Sequence, residues 1–212
     1  MNSNTVRDAF RSASLGFVEL VAGIGPEAWG RPALGVWDVR SLVGHTSRAL
    51  STIETYLGGS SSLPAVGGPV EYYLRALPHD PDVEITLGRH AGIAARGVEA
   101  GEALGTDPQA AVSTLADRVQ ALVARTPDEA PVGTPAGPMT LIGYLPTRTF
   151  ELTVHSLDLA RALGVEVPAV LGPAVTASCR LAGAVAGRRP TAPDLLLLLT
   201  GRDDLPTGLT VL

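Results

Sequence analysis

The sequence predicts an all-α protein whose core is a four-helix bundle. Hydrophobic residues make up 45% of the 212 residues but aromatic residues only 4%, so the core must consist mainly of Ala, Leu and Val. Such side chains favour close-packed helices over sheets of β-branched and aromatic residues. The 24 Gly and 17 Pro residues fall mainly between the apolar segments, as expected for loops between antiparallel helices.

The first two helices are predicted from apolar spacing and from their end signals. Residues 5–24 carry apolar positions compatible with an amphipathic helix, and Gly25 and Pro26 end it. The following segment, PEAWGRPALGVW, is predicted to be a loop. Asp38 is a good N-cap because its carboxylate can accept the free N–H groups of a first turn. Apolar residues then recur at helical spacing over residues 39–57.

The later helices follow a glycine- and serine-rich loop at residues 58–69. Their predicted ranges are residues 70–77, 83–104, 108–125, 139–163 and 170–186, with a loop, TPDEAPVGTPAGP, before the fourth of these. Pro146 lies inside the most apolar range, 139–163, and predicts a kink or a restart there. We divide the chain into a bundle at residues 1–165 and a helical appendage at residues 166–212. Within the appendage, the tail after the 170–186 helix is expected to add one short helix and an irregular or strand-like end.

Charge and composition exclude several classes of protein. The net charge is −5 and no basic run is present, so we expect no nucleic-acid binding. The first residues lack the pattern of a secretory signal, and the longest apolar run, LLLLL, is too short to span a bilayer. A lone cysteine, Cys179, excludes an internal disulfide and a cysteine-rich zinc site. We therefore expect a soluble, cytoplasmic protein without membrane partners.

A polar stripe interrupts the apolar segment FELTVHSLDLARALG. Glu151 and His155 are four residues apart and so share one face of the predicted helix. Arg148 lies three residues before Glu151, and Asp158 lies three after His155. A buried carboxylate is costly unless it is paired or bound to a metal, so Glu151 must be compensated.

The residues alone leave two interpretations of this stripe open. One is a surface stripe or salt-bridge ladder that joins Arg148 to Glu151 and His155 to Asp158. The other is a metal site, in which Glu151 and His155 need a third ligand. His45 is the best candidate, because it borders the apolar face of the second helix. Two further histidines, His79 and His90, are assigned structural roles. Three protein ligands would leave a coordination position for water or substrate.

Two segments together resemble a known family. WDVRSLVGH, with Trp37, Asp38 and His45, resembles the Trp-to-His signature of the DinB-like metal-binding bundle superfamily. RTFELTVHSLDLARALG, with the polar stripe, resembles the matching helix of the mycothiol-dependent maleylpyruvate isomerase family. The resemblance covers about residues 5–164. LLLLLTGR, which ends in Arg202, resembles the start of the small C-terminal domain of that family.

The resemblance implies a DinB-like four-helix bundle that binds one divalent metal, usually Zn²⁺, through His45, Glu151 and His155. It also implies mycothiol, a thiol of actinobacteria, as cosubstrate. The metal would favour the thiolate. The thiolate would add to a conjugated double bond, the resulting single bond would rotate, and elimination of the thiol would give the trans isomer. In relatives the thiol is transferred to an electrophile.

The other polar residues have less specific assignments. Arg148 and Arg202 are candidates for binding a substrate carboxylate, although Arg148 is equally suited to a structural ion pair. Asp158 is a candidate acceptor that orients a ligand imidazole, or bonds elsewhere. Trp37 is predicted to pack at the helix entry.

Three functional hypotheses follow. The leading one is a metal-dependent, thiol-utilising isomerase or S-transferase that acts on a small electrophilic molecule as a monomer or homodimer. The second is a non-catalytic bundle that binds a metal or a small molecule. The third is a structural protein in which the stripe is only a salt-bridge ladder.

Overall fold

The computed structural model describes residues 2–77, 83–190 and 192–202, without the side chains of residues 83–87, 89 and 90. These residues form eight α-helices and two short β-hairpins. The helices are α1 (Ser3–Ala22), α2 (Val39–Tyr56), α3 (Pro69–Ala76), α4 (Val83–Ala103), α5 (Pro108–Arg125), α6 (Leu141–Leu163), α7 (Gly172–Ala186) and α8 (Ala192–Leu199). The strands are β1 (Pro32–Leu34), β2 (Trp37–Asp38), β3 (Pro131–Thr134) and β4 (Gly137–Thr140). The all-α core predicted from the sequence is confirmed.

Four helices form the bundle. Both α1 and α2 pack against both α5 and α6, so the four helices close a ring around one core. Each contributes fully buried apolar side chains: Phe10 and Phe17, Leu42 and Leu50, Val112 and Val119, and Leu145 and Leu152. Three further helices pack on the outside of this ring, with α4 on α2, α7 on α1 and α6, and α3 on α6 and α7.

The predicted start of α2 is confirmed in detail. The carboxylate of Asp38 accepts a hydrogen bond from the Ser41 N–H at 2.7 Å. At the corresponding place in α6, the Thr140 hydroxyl accepts from the Gly143 N–H at 3.2 Å. The helix α6 is continuous across Pro146, so the alternative of a helix restart there is wrong. Pro146 lies only in the second turn, and the helix continues through the packing of its apolar residues.

The two segments predicted as loops contain β-hairpins, which corrects the sequence analysis. In the first, β1 pairs antiparallel with β2, and Gly35 at the turn has a φ of 56°. In the second, β3 pairs with β4, so Met139 belongs to a strand and not to the following helix. Each hairpin ends at the N-cap of α2 or of α6. The strands are two to four residues long, too short for periodicity to reveal.

Glycines allow α4 to lie directly against α2. A Cβ atom on Gly44 would lie 2.1 Å from the backbone nitrogen of Gly101, so the two helix backbones touch. One turn earlier in α4, a Cβ on Gly97 would lie 2.6 Å from the Trp37 ring. Because Gly44 directly precedes His45, this close approach holds α4 next to His45.

The helix α7 packs against the outside of the bundle. Residues Ala169–Ala186 are apolar and long enough to cross a membrane, with a mean hydropathy of 1.4. In the fold they cover α1 and α6, and the Ser12 hydroxyl donates to the Val170 carbonyl at 2.6 Å. Of this stretch, 33% is buried in the fold. The predicted division of the chain at residue 165 stays a prediction, and the expected irregular or strand-like end lies mostly at residues 203–212, outside the described residues.

Candidate metal centre

Three side chains from two helices meet inside the bundle. His45 comes from α2, whereas Glu151 and His155 lie one turn apart on α6. One candidate ligand atom from each of the three lies within 4.8 Å of the others. The two imidazole rings stand nearly perpendicular, with centroids 4.8 Å apart and an interplanar angle of 84°. The fold therefore brings together two nitrogen donors and one oxygen donor.

The spacing of the donors on α6 suits a shared cation. The Nε2 atom of His155 lies 3.6 Å from the Oε2 atom of Glu151, which is too long for a hydrogen bond. Two ligands bound to zinc at about 2.0–2.1 Å with tetrahedral angles are separated by about 3.4 Å. The observed separation is closer to that of two ligands of one ion than to that of a direct hydrogen bond.

His45 carries a buried nitrogen without a partner. Its Nδ1 atom is inaccessible to solvent and makes no hydrogen bond within the described part of the chain. The Trp37 ring stacks on the imidazole with centroids 4.4 Å apart, and the Trp37 Nε1–H donates to the Ala94 carbonyl at 2.9 Å. Burial, reinforced by the neighbouring His155, lowers the pKa of His45 to about 4. The imidazole is therefore neutral at pH 7, which is the form that binds metals.

Glu151 is ionised and held by a tyrosine. The Tyr73 hydroxyl donates to the Oε1 atom of Glu151 at 2.7 Å. Burial by itself raises the pKa of Glu151, but His155, Arg148 and Tyr73 outweigh it and hold this pKa at about 2. The carboxylate is thus charged over the whole physiological range and is available as a ligand.

His155 is oriented by Asp158. Its Nδ1 atom lies 3.1 Å from the Asp158 Oδ2 atom, so an Nδ1–H directed at this carboxylate leaves Nε2 facing the cluster. Burial lowers the pKa of His155, but the two carboxylates of Asp158 and Glu151 raise it to about 9. Without a cation, His155 is therefore protonated and compensates Glu151.

Arg148 occupies an aromatic enclosure beside the cluster. It is only 8% exposed, and its guanidinium carbon lies 4.7 Å from the Tyr144 ring centroid. Its Nε donates to the Thr147 hydroxyl at 3.0 Å and its Nη2 to the Tyr72 hydroxyl at 3.3 Å. Among the described residues no carboxylate lies within 4 Å of the guanidinium. The salt-bridge ladder is thus formed between His155 and Asp158 but not between Arg148 and Glu151.

Three other residues were considered in the sequence analysis. Arg202 is exposed after α8, and its guanidinium donates to the Thr200 carbonyl at 3.4 Å. His79 lies outside the described residues, as does the side chain of His90. The sequence analysis missed Tyr73, which is 78 residues from Glu151 in the chain. Its only signal is the pair of tyrosines in α3, and no periodicity links that pair to α6.

The three donors fit a divalent cation. They comprise two imidazoles, one of them with an unpartnered buried nitrogen, and one ionised carboxylate, a combination that zinc accepts. The fold and this cluster define a helical bundle with a candidate metal site. A family model described as the mycothiol maleylpyruvate isomerase N-terminal domain matches residues 10–160, and the chain belongs to this family. Neither a curated protein nor a solved structure matches the chain.

Proposed function

We propose that the protein is a metal-dependent enzyme that uses mycothiol as a nucleophile toward a small electrophilic molecule. The reaction is either a cis–trans isomerisation like that of maleylpyruvate or the transfer of the thiol. The observation that carries this proposal is the His45, Glu151 and His155 cluster with its unpartnered Nδ1 atom. Membership of the mycothiol maleylpyruvate isomerase family is the reason for proposing mycothiol as the thiol.

In this proposal His45, Glu151 and His155 hold one divalent cation, with Zn²⁺ as the favoured ion. Such a cation lowers the pKa of a thiol at its open coordination position and so supplies a thiolate at neutral pH. Asp158 fixes the tautomer of His155 by accepting its Nδ1–H. Trp37 and the surrounding bundle keep His45 buried and uncharged.

Arg148 is proposed to bind a carboxylate of the substrate. Its Nε and Nη2 atoms are engaged by Thr147 and Tyr72, while its Nη1 atom donates to no described residue. A guanidinium edge is well shaped for a carboxylate, and burial strengthens the attraction between the charges. With a divalent cation present, the positive charges of the ion and Arg148 outweigh Glu151 and Asp158. The site then favours an anionic substrate.

The cellular setting is part of the same proposal. A net charge of −5 and the absence of a basic run argue against nucleic acid as a partner. We propose that the protein acts in the cytoplasm on a small molecule, as a monomer or a homodimer. Arg202 is proposed as a second contact for the substrate, for which its place in the LLLLLTGR segment is the support.

Cobalt substitution tests whether the thiol reaches the metal. Protein is stripped with a chelator, loaded with Co²⁺ and titrated with mycothiol. We expect a new sulfur-to-cobalt absorption band and a shift of the visible bands, because the thiolate binds the ion directly. The His45→Ala variant is the matched control and should show neither signal. A site spectrum that mycothiol leaves unchanged at saturation would contradict the enzyme and favour a non-catalytic metal-binding bundle.

A direct assay separates the two reactions. Maleylpyruvate is incubated with the zinc-loaded protein and mycothiol, and the trans isomer is followed by absorbance. Turnover that disappears in the Glu151→Gln variant would establish isomerisation. A thiol-responsive cobalt site without isomerase turnover would instead assign thiol transfer.

A further inference from the structure

The two oxygens of the Glu151 carboxylate have different surroundings. Oε1 accepts the hydrogen bond from Tyr73 at 2.7 Å. Oε2 lies 3.6 Å from the Nε2 atom of His155, on the side of the other candidate ligands. One carboxylate oxygen of Glu151 therefore accepts from the Tyr73 hydroxyl, and the other faces the cluster.

The position of the Tyr73 ring is fixed by contacts other than its hydrogen bond to Glu151. It is 1% exposed, and its ring makes edge contacts with Phe150 and Tyr72, with centroids 5.3 and 5.4 Å away. The Thr147 carbonyl also lies 3.1 Å from its hydroxyl. The ionised carboxylate is closer and is the stronger acceptor, so it takes the phenolic hydrogen. Burial raises the pKa of Tyr73, so the phenol remains a donor.

The helix that carries Tyr73 is anchored independently of the cluster. At its C-terminal end, Arg189 donates to the Leu77 carbonyl at 2.7 Å. Arg75 donates to the Pro64 carbonyl at 2.8 Å and so ties α3 to the preceding loop. The Tyr73 hydroxyl therefore reaches Glu151 from α3, a helix that carries none of the three candidate ligands.

We propose that Tyr73 is a positioning residue that occupies Oε1 of Glu151, so that this carboxylate offers only Oε2 to the cation. This inference rests on the proposed function, because it assigns a role toward the same ion. A carboxylate can bind a cation through one oxygen or through both. Two histidine nitrogens and one oxygen leave the fourth position of a tetrahedral zinc site open. Water or the thiol fills that position, and a second carboxylate oxygen would add a fifth ligand that hinders the binding of the thiol.

The Tyr73→Phe variant tests this role with little change in packing. The phenyl ring preserves the contacts with Phe150 and Tyr72, and only the hydroxyl is lost. Oε1 is then free to approach the cation, and the coordination number rises. Cobalt reports this change, since its visible absorption weakens when a four-coordinate site gains a ligand. We also expect mycothiol to bind at least about 10-fold more weakly, in the range seen when partners of metal ligands are removed.

The control is Tyr144→Phe, which removes another buried phenol. Its hydroxyl lies 3.2 Å from the Thr52 hydroxyl and contacts none of the three ligands. The visible spectrum of its cobalt form should match that of the wild type. Far-UV circular dichroism and the melting temperature verify that both variants fold.

The outcomes distinguish this inference from the proposal on which it rests. A weaker, shifted cobalt spectrum and weaker thiol binding in Tyr73→Phe alone would support it. A wild-type cobalt site with an unchanged Tyr73→Phe spectrum would overturn the role of Tyr73 and leave the metal site intact. A wild-type protein that forms no cobalt site would overturn both.

Discussion

The unpartnered Nδ1 atom of His45 is the feature of this protein that most requires an explanation at the scale of single residues. A buried polar atom without a hydrogen bond costs about 1–3 kcal/mol in free energy of folding. Here that atom belongs to an imidazole that burial keeps neutral, beside an ionised carboxylate and a second imidazole. A cation that His45 bound through Nδ1, together with Glu151 and His155, would satisfy this nitrogen and compensate the carboxylate.

Asp158 should set the affinity of this site without touching the cation. The Asp158→Asn variant weakens the charge that orients His155, and we expect its zinc dissociation constant to rise by about 10–100-fold. Competition with a chromophoric chelator measures this constant. Asp117→Asn, an exposed change on α5, is the matched control and should bind zinc as the wild type does. Equal zinc affinities for the two variants would show that Asp158 does not support a ligand.

The charge of His155 should make the metal-free protein less stable at high pH. Its pKa is about 9 in the folded chain, above its usual value of 6.5. The protonated form therefore stabilises the fold fully below pH 6.5, and this contribution is lost as the pH rises through 9. We expect a loss of about 2 kcal/mol, less than the full shift gives at 1.36 kcal/mol per unit, because the partner carboxylates are partly hydrated.

Urea unfolding of the chelator-treated protein at pH 6 and pH 10 measures this change. The His155→Gln variant is the reference, because it retains every other titrating group. The wild type should lose more unfolding free energy than His155→Gln over this interval. Parallel losses in the two proteins would mean that His155 carries no charge in the metal-free site.

At the scale of elements, the contact between α2 and α4 supports the cluster. We expect Gly44→Ala to lower the free energy of unfolding by about 1–3 kcal/mol, because the new methyl group would meet the backbone of Gly101. Zinc binding should weaken as well, since His45 is the next residue. Urea unfolding and chelator competition measure the two effects.

Gly183→Ala is the control for this substitution. Gly183 lies in α7 with open space around its Cβ position, so alanine should leave stability unchanged or raise it by about 0.5–1 kcal/mol. If both variants had the stability of the wild type, α2 and α4 would not be in backbone contact at Gly44.

The helices were predictable from the sequence, whereas the hairpins and the position of Tyr73 were not. The bounds of α2, α4 and α5 agree with the predicted ranges within one or two residues, because caps and 3.6-residue periodicity are local signals. The hairpins before α2 and α6 were missed, since strands of two to four residues rich in Gly and Pro carry no alternation. Tyr73 was missed because its contact with Glu151 depends on how α3 docks on α6.

For the whole molecule, the four-helix bundle explains why about a hundred residues can separate the candidate ligands in the sequence. The helices α2 and α6 pack against each other, so His45 faces Glu151 and His155 across the bundle. Spacing within one helix predicted the pair on α6. The choice of His45 over His79 and His90 came from its place at the border of the apolar face. The resemblance to the family then implied all three residues as ligands of one ion.

Zinc content measured after purification without chelator tests the central claim that three residues of one bundle bind one ion. We predict about one zinc per wild-type chain, and the same for His90→Ala, a histidine without an assigned ligand role. His45→Ala should retain less than a tenth of that amount while keeping its helical circular dichroism. Wild-type protein without metal that also fails to bind added zinc, or a folded His45→Ala variant that binds zinc as the wild type does, would contradict the account.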